Sequence, residues 1–303
     1  NAPSGEEDMN EQVNILDEEL ARYPDVIAIA SIDEDASEVQ FDLAAGNDIP
    51  IVAFDSGNLY QGIQCTCKTD NSAATAEGVS KLCEAIGDSG EVALIVHDSV
   101  SESAREREEA FKAALSAEHP EVTVAETIYM DELDEIKKSA AAEQLGVSLE
   151  EIQAQQAAET TGQGEEQTGE ASAVMEEINA AAEGMSDEDA VAYCLKKHPD
   201  LKGCFGTNVD ATQLGLKALG SMEEAEDVVL MGFDAGAAQL EALESGEIDG
   251  LVVQNPFGIG YAAVIASART VLEIGNEAQV NTGYIWVDQE NLEEDAVQAM
   301  LYE

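Results

Sequence analysis

Two stretches of the sequence decide the fold: residues 49–57, Ile49-Pro-Ile-Val-Ala-Phe-Asp55-Ser-Gly, and residues 227–236, Asp227-Val-Val-Leu-Met-Gly-Phe-Asp234-Ala-Gly. Each is an apolar run that ends in Phe-Asp and is followed two residues later by glycine. Such runs are typical of buried parallel strands, and open α/β sheets bind ligands just beyond the carboxyl ends of their strands. The repeat therefore predicts two α/β lobes that offer Asp55 and Asp234 to a shared cleft.

Helical and strand patterns alternate along most of the chain. Three proline motifs, Tyr23-Pro-Asp-Val26, His119-Pro-Glu-Val122 and His198-Pro-Asp-Leu201, each end a helical pattern and begin an apolar run, as proline does where a helix gives way to a strand. The predicted strands cover residues 26–31, 50–55, 64–68, 91–97, 122–128, 203–207, 228–233, 251–254 and 284–287. The predicted helices cover residues 9–20, 36–45, 71–86, 101–115, 211–219, 237–243 and 260–274. This alternation predicts an α/β fold with two doubly wound parallel-sheet lobes.

Residues 131–184 interrupt this alternation. The stretch is rich in Ala, Glu and Gln and poor in strand-forming residues, which predicts an inserted helical hairpin with a loose polar tip at residues 160–169. Ser148 with Glu151, and Ser186 with Asp189, have the spacing of helix N-caps. The insertion would shield the cleft, contact a partner or, as we favour, form an exposed elaboration without a role.

Charge and cysteine content exclude several classes of function. The chain of 303 residues carries 64 acidic and 13 basic residues, a formal charge of −51. Nucleic acid and anionic membranes need clustered cations for binding, so neither is an expected partner. Five cysteines give no disulfide framework, and no paired-cysteine or His-rich metal spacing occurs. We therefore expect no metal and no cofactor, and a solvated acidic surface whose self-repulsion is screened by salt.

No signature of an enzyme is present, since the sequence lacks a nucleophile elbow, a Walker-type loop and a Gly-x-Gly-x-x-Gly turn after a strand. Polar residues instead follow the predicted strands or open the next helix. These candidates are Asp55, Arg107, Asn208, Asp234 and Gln254. Carboxylates accept hydroxyl hydrogens, guanidinium donates, and amides do both, so the set suits an uncharged polyhydroxylated ligand such as a sugar. The alternative is that the two aspartates only cap turns.

The order of these motifs is similar to that of the sugar-binding type I periplasmic binding proteins, the ribose and galactose binders of ABC importers, whose fold LacI-type regulators share. The resemblance rests on Pro50-Ile-Val-Ala-Phe-Asp55, Thr69-Asp-Asn71, Ala104-Arg-Glu-Arg107, His198-Pro-Asp-Leu-Lys-Gly203, Thr207-Asn208, Gly232-Phe-Asp234 and Val253-Gln-Asn-Pro256. It implies that the five candidates hydrogen-bond the sugar. It also implies an N-terminal lobe of residues 1–69 and 255–282, a C-terminal lobe of residues 70–254 and 283–303, and hinge strands near Thr69, Asn255 and Gly283.

The sequence departs from the family pattern at several points. Ser31 stands where ribose-type binders often carry an amide, and Ser56 replaces a frequent arginine. The aromatic residue that commonly stacks on the sugar from the second lobe would lie near Tyr129 or Met130. The first βαβ unit of the family is missing, which leaves a strand without its neighbour and removes a wall of the cleft. A second chain, a rearranged lobe or a lost N-terminal segment would explain this, and we favour truncation with weakened binding.

These inferences predict an extracytoplasmic solute-binding protein, in the periplasm or as a cell-surface lipoprotein, that captures a monosaccharide or similar polyol for the membrane permease of an ABC importer. Its signal segment would precede this sequence. The alternative is the effector-binding core of a LacI-type transcriptional regulator, against which the charge of −51 argues. A third class, a hydrolase that uses Asp55 and Asp234, is disfavoured because no further group is placed to raise either pKa.

Overall fold

A computed structural model describes residues 1–5, 8–161, 170–223 and 225–301. In chain order its strands are β1 (Ile27–Ile29), β2 (Ile51–Phe54), β3 (Ile63–Lys68), β4 (Gly90–Val96), β5 (Val122–Tyr129), β6 (Leu201–Gly206), β7 (Val229–Phe233), β8 (Gly250–Gln254), β9 (Gln279–Asn281) and β10 (Tyr284–Val287). The helices are α1 (Met9–Leu20), α2 (Glu38–Gly46), α3 (Asn71–Ile86), α4 (Glu102–Glu118), α5 (Leu133–Gln144), α6 (Leu149–Thr161), α7 (Glu170–Glu183), α8 (Asp187–Leu195), α9 (Val209–Gly220), α10 (Ala237–Ser245), α11 (Pro256–Val271) and α12 (Asp295–Gln298).

The strands form two separate sheets. The smaller sheet has the order β1-β2-β3-β9 and is parallel throughout. The larger sheet has the order β10-β8-β7-β6-β4-β5 and is parallel except for β10, which runs antiparallel to β8. Both orders require crossover connections, which the intervening helices supply. The strand–helix alternation in the sequence therefore produces two doubly wound lobes, as predicted.

Helices cover both faces of each sheet. In the smaller sheet Ile51 packs in a core with residues of α1 and α2, whereas the next residue, Val52, packs in a core with α11. The larger sheet has one core that includes α3 and α4 and another that includes α8, α9 and α10. Strands buried on both faces are continuous apolar runs in sequence, which is why the two Phe-Asp motifs were informative.

Three segments connect the two sheets and are hydrogen-bonded to one another. The chain passes from β3 to α3 at Thr69, from β8 to α11 at Asn255, and from β9 to β10 at Gly283. The Thr282 N–H donates to the Lys68 carbonyl at 3.1 Å, and the Asn255 side-chain amide donates to the Thr282 carbonyl at 3.1 Å. These bonds hold the three connections side by side at one edge of the molecule.

The insertion differs from the hairpin that the sequence predicted. Residues 131–184 contain three helices, α5, α6 and α7, whose shared core includes Ala141, Met175 and Ile178. The predicted tip falls largely on residues 162–169, which lie outside the described residues. Both predicted caps are present: the Ser148 hydroxyl accepts the Glu151 N–H, and Ser186 with Asp189 forms a capping box before α8. The Ser148 cap had already marked the start of α6, so what the hairpin prediction lacked was the division of its first arm into α5 and α6.

Two further elements differ from the sequence prediction. Strand β9 was not predicted, because its three residues alternate polar and apolar without forming an apolar run. Helix α11 begins at Pro256 rather than at residue 260, with Asn255 as its cap accepting the Gly258 N–H at 2.8 Å. Proline at the first helical position after an asparagine cap is a start signal that the sequence already contained.

Strand β1 has one paired edge. Among the described residues it pairs with β2 alone. Its other edge borders a cavity that also touches α1 and residues 1–5. In the part of the chain that the structure describes, no helix combines the length and apolar character needed to cross a bilayer.

Candidate functional site

A cavity of about 920 Å³ lies between the two sheets, at the carboxyl ends of their strands. Small-molecule sites typically span roughly 300–1,000 Å³, so this cavity is large enough for a monosaccharide. All five residues predicted from the sequence line it: Asp55, Arg107, Asn208, Asp234 and Gln254. The structure thus brings together groups that are up to 199 positions apart, residues 55 and 254, in one cleft.

Asp55 and Asp234 have equivalent backbone environments in the two lobes. Both have positive φ, 54° for Asp55 and 72° for Asp234. The Asp55 N–H donates to the Cys67 carbonyl of the adjacent strand at 3.0 Å, and the Asp234 N–H donates to the Val252 carbonyl of its adjacent strand at 2.8 Å. Aspartate tolerates the left-handed region better than most residues. The shared turn therefore directs each carboxylate away from its strand and into the cavity.

Arg107 is the central cation of the site. Its side chain starts from α4, is 3% exposed, and lies with the guanidinium carbon 4.1 Å from the centroid of the Phe233 ring. The Nε–H donates to Asn71 Oδ1 at 2.9 Å, and Nη1 donates to the Thr207 carbonyl at 2.5 Å. Since guanidinium has five N–H donors, these bonds fix its orientation and leave donors for a ligand.

Two amides complete the predicted set. Asn208 caps α9, where its Oδ1 accepts the Ala211 N–H at 2.8 Å, so its NH2 group remains for the cavity. The Gln254 amide donates to Asp234 Oδ1 at 2.7 Å. This bond holds the Asp234 carboxylate in place. Because it uses the Gln254 amide nitrogen, the Gln254 carbonyl oxygen remains as an acceptor. The two amides therefore offer one donor group and one acceptor to a bound molecule.

Glycines allow the amide-bearing helix to lie this close to the strands. A Cβ on Gly206 would lie 2.4 Å from the Thr212 nitrogen, and a Cβ on Gly232 would lie 2.0 Å from Thr212 Oγ1. Both distances are far below van der Waals contact. The absence of side chains at these positions brings the first turn of α9, and with it Asn208, next to Asp234.

The electrostatics of the cleft favour a neutral guest. Asp55 keeps an exposed surface toward the cavity, but partial desolvation in the cleft still raises the pKa of its carboxyl above the ordinary value of 3.8. Arg107 opposes that rise and the charge of Asp234 adds to it. The sequence had shown no group that would shift the pKa of either aspartate, because burial depends on the assembled cavity. Two carboxylates facing one guanidinium repel an anionic ligand and hydrogen-bond to hydroxyls.

Several cavity-lining residues were not predicted from the sequence. They are Ser31, Ser56, His97, Asp98, Ser101 and Ser103. The Ser56 hydroxyl donates to the Ser31 carbonyl at 2.7 Å, so the two residues that depart from the family pattern contact each other. A signal for His97 existed, because it directly follows the apolar run of β4, just as Asp55 follows that of β2.

The expected position of the stacking aromatic residue is wrong. Tyr129 does not line the cavity between the sheets: it lies in a different surface pocket, where its hydroxyl donates to Glu108 at 2.6 Å. That hydrogen bond, with burial, raises the pKa of Tyr129 to about 12. Met130 packs against the core that includes α8 and α9. Among the described lining residues, Phe54 is the one aromatic side chain.

The cavity continues beyond the five predicted residues, along the open edge of β1. This extension is lined by residues 1–5 and 26–32, and by Gln12, Ile15, Leu16, Glu19 and Arg22. The insertion of residues 131–184 does not contribute to the lining among the described residues.

One cluster has the residue types of a metal site but lies elsewhere. The ligand atoms of Cys83, Asp88 and His119 lie within 4.8 Å of one another. His119 is the C-cap of α4, and its Nδ1 is 2.8 Å from Asp88 Oδ1. Burial raises the pKa of the Cys83 thiol to about 11, which disfavours the thiolate that a metal requires. The His119–Asp88 contact is a hydrogen bond at a helix end.

The chain belongs to a family of binding proteins. The family model described as a periplasmic binding protein domain matches residues 2–182 and 165–275. Comparison with curated proteins gives no match. Membership of this family indicates an extracytoplasmic location and a protein that binds a solute rather than transforming one, in agreement with the prediction that the chain is not an enzyme.

Solved structures share the fold. A carbohydrate transporter solute-binding protein from Agrobacterium radiobacter, in complex with D-arabinose, is 22% identical with a TM-score of 0.73, over 98% of this chain and 85% of that one. A solute-binding protein from Agrobacterium vitis with bound D-fucose is 20% identical with a TM-score of 0.74, over 99% and 87%. A Brachyspira murdochii protein named as an ABC transporter, LacI family transcriptional regulator, is 22% identical with a TM-score of 0.70, over 100% and 88%. The fold predicted from the sequence is confirmed.

Proposed function

We propose that this protein is the solute-binding component of an ABC importer and that it captures a monosaccharide or similar polyol between its two lobes. The observation that carries the proposal is the convergence of Asp55, Arg107, Asn208, Asp234 and Gln254, drawn from both halves of the chain, on one cavity. The relatives in complex with D-arabinose and D-fucose support a sugar as the guest.

The chemistry of the cavity matches a sugar better than other small solutes. Asp55 and Asp234 accept hydrogens from hydroxyls, Arg107 and Asn208 donate to hydroxyl or ring oxygens, and the Gln254 carbonyl oxygen accepts one more hydrogen. Leaving such a group unpaired in a closed cleft costs roughly 1–3 kcal/mol. An array of this kind therefore discriminates strongly against ligands that lack the matching hydroxyl.

The division of the chain supports closure of two lobes around the guest. We propose an N-terminal lobe of residues 1–69 and 255–282 and a C-terminal lobe of residues 70–254 and 283–303, with the hinge at Thr69, Asn255 and Gly283. The smaller sheet lies in the first set of residues and the larger sheet in the second. Rotation about three short connections changes few contacts within either lobe, which is typical of hinge closure.

The membrane permease of the importer would be the partner of the closed form, and a signal segment or lipid anchor would deliver the protein outside the cytoplasm. The rival function is the effector core of a LacI-type regulator, which shares the fold. A charge of −51 makes that rival the weaker proposal because DNA repels such a surface. The coding sequence upstream of residue 1 distinguishes the two functions. A secretion signal there supports transport, and a helix-turn-helix segment supports regulation.

Calorimetric titration with a panel of pentoses, hexoses and polyols tests the proposal. We expect at least one sugar to bind with a dissociation constant on the order of micromolar, which corresponds to roughly −8 kcal/mol. Arg107→Met should abolish binding, and Asp48→Asn, at an exposed turn with φ of 57°, should leave it unchanged. A folded protein that is silent toward every member of the panel would disprove sugar binding.

A further inference from the structure

We propose that His97 is an additional ligand-contacting residue, which donates a hydrogen bond from Nε2 to one hydroxyl of the guest and thereby determines which sugar is bound. The inference rests on the proposed function and deepens it. His97 directly follows β4 and lines the same cavity as Arg107 and Ser103. Like Asp55 after β2 and Asp234 after β7, His97 is therefore the first residue beyond the carboxyl end of its strand.

The contacts of Thr207 determine the tautomer of His97. Thr207 is fully buried, and its Oγ1 accepts the His97 backbone N–H at 3.0 Å and lies 2.7 Å from His97 Nδ1. A threonine hydroxyl has one hydrogen to donate, and burial makes an unpaired hydroxyl hydrogen unfavourable. The arrangement that satisfies both groups has the hydroxyl donating to Nδ1. His97 then carries its proton on Nε2.

This leaves the Nε2–H group with two long hydrogen-bond contacts inside the chain and no short one. Ser101 Oγ and Ser103 Oγ are each 3.4 Å from Nε2, beyond the 2.7–3.2 Å range of ordinary N–H···O bonds. The Asp98 carboxylate oxygen is 3.7 Å away. Ser101 is also engaged as the cap of α4, where it accepts the Ala104 N–H. We therefore infer that a ligand oxygen in the cavity accepts the hydrogen bond from the Nε2–H group.

The environment keeps His97 neutral. Burial, and then the charge of Arg107, lowers its pKa to about 3. A neutral imidazole donates one hydrogen bond without adding a positive charge to the cleft, which suits an uncharged hydroxyl. The side chain is 12% exposed and His97 lines the cavity.

A pair of substitutions separates the ligand contact from a purely structural role. His97→Asn keeps a polar group at the position of Nδ1, next to Thr207, and removes the donor at Nε2. His97→Gln places an amide near the Nε2 position. The same substitution at His119, which pairs with Asp88 outside the cavity, is the matched control. Each protein is titrated calorimetrically with the sugar that the wild type binds best and with each monodeoxy derivative of that sugar.

We expect His97→Asn to weaken binding of the parent sugar by about 10- to 100-fold, the effect of one lost hydrogen bond in a closed site. One monodeoxy sugar should bind wild type and His97→Asn with equal affinity, because it lacks the hydroxyl that Nε2 contacts. His97→Gln should restore most of the affinity, and His119→Asn should behave as wild type. Thermal melting of each variant confirms that it is folded.

Three results overturn the proposal. Unchanged affinity in His97→Asn would show that Nε2 contacts no ligand, while the sugar-binding function stands. An equal loss for the parent and for every monodeoxy derivative would assign His97 a structural role only. A folded wild type that binds no sugar would remove the proposed function, and this inference with it. If His97→Asn does not fold, His97→Leu, which likewise lacks the Nε2 donor, is titrated with the parent sugar and the deoxy series, and the same outcomes apply.

Discussion

Asp55 and Asp234 line the same cavity from two different sheets and share one backbone geometry. Each follows the last residue of a strand, each has positive φ, and each donates its backbone N–H to the carbonyl of the adjacent strand, at 3.0 Å and 2.8 Å respectively. The charges of Arg107 and Asp234 both act on the Asp55 carboxyl. If the proposed closure occurs, bringing the lobes together assembles the site and separating them divides it.

Substitution of either aspartate should weaken sugar binding without loss of the fold. Asp55→Asn and Asp234→Asn keep the size of the side chain and tolerate the left-handed backbone, but they replace a charged acceptor. Hydrogen bonds to charged groups contribute about 1.5–3 kcal/mol, so we expect about a 10- to 100-fold rise in the calorimetric dissociation constant. Asp48→Asn, at an exposed turn with φ of 57°, is the control. Wild-type affinity in both cleft variants would refute the shared site.

The pH dependence of stability should identify Asp55 as a destabilised carboxylate. Desolvation raises the pKa of Asp55 in the folded protein. The folded state therefore binds the Asp55 proton more tightly than the unfolded chain does. The free energy of unfolding gained from this is fully present below the unfolded pKa and is lost as pH rises through the folded pKa. Because Asp55 is also partly exposed and solvent screens its charge, Asp55→Asn should raise the urea midpoint only slightly at neutral pH, with the gain shrinking in acid. Asp48→Asn corrects for the loss of one negative charge. A gain of equal size in both variants would contradict this effect of burial.

An ion-pair cluster should hold the two lobes together. Lys68, at the end of β3, pairs with Glu102 and, at 2.7 Å, with Glu106, both on α4 of the larger lobe. The Lys68 side chain is 5% exposed. Burial lowers its pKa, but the hydrogen bonds to the two glutamates outweigh burial and the pKa ends above the usual value. Closure therefore places this lysine between two acids.

Lys68→Met should be strongly destabilising because it leaves two partly buried carboxylates facing each other. Removing one partner of a buried pair typically costs about 3–5 kcal/mol, which a urea unfolding curve resolves. The control is Lys112→Met on α4, the helix that carries both glutamates. It breaks the exposed Lys112–Glu108 pair and should lower the free energy of unfolding by less than about 1 kcal/mol. Adding Glu102→Gln and Glu106→Gln to Lys68→Met should recover stability. No difference between the two lysine variants would refute the cluster.

A larger side chain at Gly232 should disrupt the close packing of α9 on the larger sheet. Gly232→Ala places a Cβ 2.0 Å from Thr212 Oγ1, so α9 must shift and carry Asn208 away from Asp234. We expect a loss of about 1–3 kcal/mol, typical of overpacking, together with weaker sugar binding. Gly220→Ala, at the other end of α9 with no atom within 4 Å, should be neutral or slightly stabilising. Unfolding and titration of both variants provide the comparison.

Salt should stabilise the protein. A formal charge of −51 repels itself in the compact state, and ions screen that repulsion with a Debye length of about 10 Å at 0.1 M and about 3 Å at 1 M. The melting temperature should rise between about 0.05 and 1 M sodium chloride. Sodium chloride and sodium bromide should act alike at moderate concentration, since screening depends on charge. A melting temperature independent of salt would show that the surface charges are paired more fully than the 13 basic residues suggest.

Local patterns in the sequence were sufficient for most of the elements and for five residues that line the cavity. Apolar runs that end in a polar residue, such as those before Asp55 and Asp234, mark both a buried strand and the edge where a ligand binds, so one signal predicts fold and site together. The capping box of Ser186 and Asp189 was predictable for the same reason: its hydrogen bonds join neighbours in sequence.

Tertiary structure alone decided what depends on distant neighbours. The tautomer of His97 follows from Thr207, which is 110 positions away, and the raised pKa of Asp55 follows from burial by both lobes. Tyr129 was a plausible stacking residue in sequence, yet its strand is at the edge of the larger sheet and its hydroxyl is bonded to Glu108. Sequence periodicity reports which side of an element is buried, because burial repeats with each turn or pleat. It does not report which groups from other elements meet there, because those contacts are set by the packing of whole lobes.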